Sequence, residues 1–194
     1  MRFLLLSLLP FALASAQPAA PDTAARRKAM EKLAFIAGDW AGEASAMMGP
    51  NNFTRMWQTE WVRYKLNGQI LVVEGVARRL AAAGLADTVF AAWATIDWAP
   101  ERGYVMRSTT LEGRTGEFPL EVSDSGFVWN FTFPAGRVRY TMRLTPAGEW
   151  YERGEYTRGV GRREGRGKNE GPAVMAQIMD HRLGSGDKAA DGRE

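Results

Sequence analysis

The sequence predicts an all-β fold: a single antiparallel up-and-down β-barrel of about ten strands, with one N-terminal helix covering an end. Three observations predict it. The apolar spacing changes from a period of 3.6 to a period of 2 at Trp40. Turn signals then recur at short, nearly even intervals: Asn67-Gly68, Pro100 to Gly103, Glu112-Gly113, Asp124 to Gly126, Pro134 to Gly136 and Pro146 to Gly148. Finally, seven Trp, nine Phe and five Tyr are too many aromatic side chains for a disordered chain.

Residues 1–16, "MRFLLLSLLPFALASA", carry Arg2, an apolar run and the small-residue pattern Ala14-Ser15-Ala16, which predicts a secretory signal cleaved near Ala16. The expected location is therefore secreted, in the periplasm. The run is shorter than the roughly 20 residues that cross a bilayer, so no transmembrane segment is expected. Residues 17–22 read as a flexible leader, residues 23–183 as the barrel domain, and residues 184–194 as a disordered tail.

Within the domain, "TAARRKAMEKLAFIAG" places Met30, Leu33, Ala34 and Ala37 on one helical face, with Asp22 or Thr23 as cap and Gly38 as a left-handed terminator. Strands are then predicted near 39–48, 54–65, 69–79, 87–98, 103–110, 114–123, 126–133, 136–145, 148–158 and 173–183. A meander that long closes on itself, because closure removes exposed edges, and a barrel of this size can enclose a small ligand. Residues 158–172, "RGVGRREGRGKNEGP", read as a loop. They lack the aromatic side chains that stack on bases, and the formal net charge is only +3, so no nucleic-acid partner is expected.

Alternation assigns the strand faces. "GRVRYTMRL" must turn Tyr140 and Met142 inward, since Arg137, Arg139 and Arg143 take the other side; "GFVWNFTF" turns Phe127, Trp129, Phe131 and Phe133 inward. In "TRMWQTEWVRYK" the basic residues define the outside, which sends Gln58 and Glu60 in. "GEWYERGEY" places Trp150 and Glu152 together on the inner face. "QILVVEGVA" is apolar on both faces, so parity leaves the direction of Glu74 open and keeps it as a candidate. Interior carboxylates need hydrogen bonds, an arginine, water or a ligand. In a filled interior, Arg107 or a tyrosine would satisfy them; in an open one, the ligand-binding set is Gln58, Glu60, Glu74, Arg107, Trp129, Tyr140, Trp150 and Glu152.

Catalytic patterns are sparse. The chain has no cysteine and one histidine, His181, which rules out disulfides, thiol chemistry and thiolate metal sites, and leaves no His-based triad around a serine. No metal or cofactor is called for. Two alternatives stand beside simple binding: a carboxylate-based envelope hydrolase using Glu60 with Glu74 or Glu152, and a haem held axially by His181.

The junction "GDWAGEA", followed by "QTEWVRYKLNGQILVVEG", "GRVRYTMRLTPAGEWYERGEY" and the terminal strand, resembles the bacterial lipocalin-like (calycin-type) family of unknown function over residues 31–183. In lipocalins the tryptophan of G-x-W lies across the barrel base under an arginine from the far end of the chain. The matching positions here are Gly38, Trp40 and Arg182. The resemblance implies an antiparallel barrel, export, and binding of a small apolar or amphipathic molecule, with no reaction. The outline is also similar to nitrobindin-like barrels, which implies haem on His181 as the alternative.

Overall fold

A computed structural model describes residues 22–49, 52–158 and 173–183. The expected signal sequence at 1–16, the expected leader up to residue 21, the Gly/Arg-rich stretch from 159 and the residues from 184 lie outside the described residues. Asp22 opens helix α1 (Thr23–Met30), its Oδ1 accepting from the backbone N–H groups of Ala24 at 3.1 Å and Ala25 at 2.9 Å. Two of the donors that a helix start leaves free are thereby satisfied.

The single helix expected from the sequence does not continue in one form. Over Glu31–Ile36 the chain tightens into a 3-10 helix. Met30, Leu33 and Ile36 recur every third residue, and a three-residue turn stacks them along one line, where each is 0% exposed. Ala34, which the α-helical period places on the buried face, is exposed. Gly38 ends the helical segment as expected: it follows the C-cap Ala37, opens β1 (Gly38–Gly49) with a positive φ of +149 that favours glycine, and a Cβ there would fall 2.9 Å from Arg182 Nη1.

Nine further strands follow: β2 (Asn52–Lys65), β3 (Ile70–Ala81), β4 (Gly84–Ala99), β5 (Gly103–Thr110), β6 (Thr115–Val122), β7 (Gly126–Phe133), β8 (Gly136–Leu144), β9 (Trp150–Arg158) and β10 (Ala173–Arg182). Each is antiparallel to the next, and β10 pairs back onto β1, so the ten-stranded barrel closes. The β3–β4 hairpin runs further than its alternation predicts. Residues 81–88 are exposed throughout, so no buried face exists there to imprint a period of 2. The seam between β6 and β7 is short, held only by the pairs Glu121–Val128 and Val122–Phe127. Past it, Phe118 of β6 meets Trp129 of β7 at 4.9 Å and Phe131 at 6.1 Å between ring centroids.

The helical segment caps the end of the barrel where β1 begins and β10 finishes. Tyr64 and Tyr104 hold it from below, their hydroxyls donating to the carbonyls of Met30 and Ala29 at 2.6 Å each. Trp40 forms the floor. It is 0% exposed, donates Nε1–H to the Ile36 carbonyl at 2.8 Å, and meets Trp150 edge-on at 5.7 Å. Arg182, its partner in the β1–β10 register, lies 4.4 Å over the indole and donates to the carbonyls of Ala37 and Phe35.

Replacing Trp40 with alanine removes a packed aromatic from a buried site, for an expected loss of about 3 to 5 kcal/mol. Arg182→Ala removes a cation–π contact with an expected loss of about 1 kcal/mol, together with the tie to two helix-end carbonyls. Urea melts of both variants measure these losses. A Trp40→Ala midpoint no lower than that of a surface substitution would show that the indole does not close the barrel.

Candidate functional site

Directly above the floor, three strands contribute carboxyl groups to the lumen. Glu60 comes from β2, Glu152 from β9 and Asp180 from β10. Their levels follow from the register: Glu60 pairs with Trp40 and Asp180 with Trp150, so both acids sit beside the floor tryptophans, while Glu152 lies one inward position further along β9. Glu60 is 8% exposed and Asp180 is 0% exposed.

Glycines on neighbouring strands make room for these side chains. A Cβ at Gly75 would lie 2.5 Å from Glu60 Oε1, and a Cβ at Gly42 would lie 2.9 Å from Asp180 Oδ1. Both carboxyl groups therefore rest against bare backbone. Ala44, Ala46 and Ala77 continue this wall of small side chains toward the far end. The opposite wall is aromatic. Trp129 stacks on Tyr140 with centroids 4.4 Å apart and planes at 8°, and Gly154 lets the Tyr140 ring approach, since a Cβ there would stand 2.6 Å from Cε1. Phe131 extends the stack at 5.9 Å from Trp129. These inward-facing rings and Ile178 are only half-buried.

Few donors reach the carboxyl groups. Gln58 Nε2 donates to Glu60 Oε1 at 2.6 Å, and Trp150 Nε1 donates to Glu152 Oε2 at 3.3 Å. Glu60 Oε2 and both oxygens of Asp180 have no hydrogen-bond partner. Burial pushes Glu60 up to about 8, against the pull of the Gln58 amide, and Glu152 adds to the rise. Asp180 also rises to about 8, through burial and then through the nearby Glu60 and Glu152. Burial lifts Glu152 to about 7, partly opposed by the Trp150 hydrogen bond. Tyr140 is raised to about 12 by burial and by Glu152. Such a cluster holds protons at neutral pH and titrates as a unit.

The structure brings together Gln58, Glu60, Trp129, Tyr140 and Glu152, with Trp150 serving the floor and Glu152 rather than an open wall. It does not bring in Glu74 or Arg107. Glu74 is exposed on the outer face, paired in register with Trp61 and Trp93. Arg107 lies outside between Asp97 at 3.3 Å and Glu117 at 2.8 Å, because Met106 takes the inward position of β5. His181 also faces outward, its Nδ1 3.2 Å from Glu149 Oε1, so it is not aimed at a haem inside the barrel. The haem alternative does not fit these residues.

Asp180 is the residue that the strand-by-strand reading overlooks. The signal for it was present: once Arg182 is matched to inward-facing Trp40, alternation sends Asp180 to the same face and His181 to the other.

The raised acids set a pH dependence. Each binds its proton more tightly in the folded chain than in the unfolded one, so its stabilising contribution is complete below about pH 4 and is lost as pH rises toward 8. At about 1.4 kcal/mol per unit of raised pKa, the combined loss between pH 5 and pH 8 is of the order of 3 kcal/mol or more. Urea melts across this range are expected to show falling stability, and Asp180→Asn to flatten the slope. A stability that stays level or rises with pH would mean that the three groups are not held in this environment.

No protein-family model matches the chain, and no curated protein matches its sequence. Among solved structures the barrel is similar to the crystal structure of Rv2717c from M. tuberculosis, with a TM-score of 0.56 over 80% of this chain and 97% of that one. The two share 9% sequence identity, so the likeness is one of fold: a barrel of the same kind built from a different sequence.

Proposed function

We propose that the protein is an exported barrel that binds a small, largely apolar ligand in its interior, without catalysis. The observation that carries this reading is the composition of the lumen: half-buried stacked rings on one wall, small residues on the other, and buried carboxyl oxygens without partners at the closed end. Ligand sites in barrels have this form, mostly apolar with a few convergent polar groups that fix orientation. The ligand's apolar body would lie along Trp129 and Tyr140, with its polar end among Glu60, Glu152 and Asp180.

Native mass spectrometry of protein purified from its natural source is expected to show a bound small molecule. Titration with Nile red, a neutral apolar dye, is expected to give saturable fluorescence, with affinity weakened about tenfold, or 1.4 kcal/mol, by Tyr140→Ala. Protein that carries no bound species and does not take up the dye would refute interior binding.

One observation favours a second reading. Glu60 and Glu152 are raised to about 8 and about 7, a range in which one carboxyl can donate a proton while the other accepts one. A carboxylate-based hydrolase would release nitrophenol from a panel of nitrophenyl glycosides and esters, and would lose that activity in Glu60→Gln and in Glu152→Gln. Turnover no greater than that of the two variants excludes it.

A further inference from the structure

We infer that the interior site takes an organic cation, a ligand whose protonated amine sits among Glu60, Glu152 and Asp180 while its apolar body lies along the Trp129–Tyr140 stack. The inference rests on the interior-binding reading and adds the charge of the ligand to it.

The first support is an imbalance of charge. Among the described residues, the lumen at the level of the acids holds three carboxyl groups and no basic side chain. Arg79 is committed to Asp87 at 3.3 Å on the β3–β4 hairpin, far along β3 from Gly75. Arg182 is committed to two carbonyls beneath the floor. Arg63 pairs with Asp39, and Arg153 with Glu155, both on the outer face. The other titratable group at the site is Tyr140, which stays neutral. An anionic ligand would press negative charge against a poorly solvated acidic cluster, whereas a cation favours the charged form of the carboxyls as they lose their protons.

The second support is independent of charge. Asp180 is 0% exposed, and neither of its oxygens meets a donor; Glu60 Oε2 is in the same position. Buried acceptors are almost always paired. Such acceptors call for a donor, and a primary ammonium carries three N–H groups and no acceptor. A metal ion fits less well, because no group of three acidic or histidine side chains among the described residues converges closely enough to hold one. The rings next to the acids complete the match, since an ammonium is attracted to the face of a tryptophan or tyrosine.

The test uses three probes of one shape on the mature chain at pH 8: 4-phenylbutylamine, 4-phenylbutanol and 4-phenylbutyrate. Calorimetric titration is expected to show the amine binding at least about tenfold tighter than the alcohol, with the carboxylate weakest. Lowering the pH to 5.5 protonates the acids and is expected to remove the amine's advantage while leaving the alcohol's affinity in place. Asp180→Asn at pH 8 should do the same, and Glu152→Gln is the second variant if the first does not fold. An alcohol that binds as tightly as the amine, or an amine advantage that persists at pH 5.5 or in the variants, overturns the cation inference and leaves interior binding standing. No binding of any of the three overturns both.

Discussion

The indole of Trp40 is the contact on which the rest of the structure depends. Its Nε1–H ends on the Ile36 carbonyl, its edge meets Trp150, and its face lies under Arg182. One side chain thus joins the helical segment, the first strand, the ninth strand and the last. A closed barrel has no edge at which to begin or stop, so the pairing of its first and last strands must be specified by side chains as well as by backbone hydrogen bonds. Arg182 does this from the far end of the chain by reaching carbonyls at Phe35 and Ala37, which the end of the helix leaves free.

That arrangement also explains why the acids above the floor have no basic partner. Arg182 is on the same face of β10 as Asp180, two residues away, and is the nearest arginine or lysine by sequence. Its guanidinium is already spent on the helix carbonyls and the indole. Asp180 therefore lies in a buried layer with Glu60 and Glu152, and Gly42 and Gly75 accommodate the two most buried of the three by offering backbone in place of side chain. A chain selected for stability alone would fill this layer with aliphatic residues, because buried acids without partners cost several kcal/mol or must take up protons. Their presence next to half-buried aromatic rings is the part of the molecule that packing does not account for.

The outer face follows a different rule. Arg63 with Asp39, Arg107 between Asp97 and Glu117, Arg55 with Glu43, and Arg153 with Glu155 form ion pairs across or along the strands, where water shares the cost of the charges. Outside, these acids have basic neighbours; among the described residues, the three acids above the floor have none. The contrast belongs to the fold, since both sets of residues occur on the same strands.

What the sequence determined by itself was the periodic part of the structure. The change of period at Trp40, the recurring turns and the arginine-bearing faces were enough to define a closed meander and to send Gln58, Glu60, Trp129, Tyr140 and Glu152 inward, because alternation along a single strand is a local property. Tertiary structure decided whatever depends on how separate strands meet. Glu74 lay on a strand apolar on both faces, and only pairing with its neighbours set it outside. Asp180 and His181 exchanged significance because the register of β10 on β1 decides which of two adjacent residues faces the lumen. The 3-10 segment at Glu31–Ile36 likewise arose from the need to bury Met30, Leu33 and Ile36 together against the barrel end, a demand that a short helix read in isolation does not reveal. Local chemistry determines which way a side chain alternates, while the company it keeps is set by contacts between residues far apart in the chain.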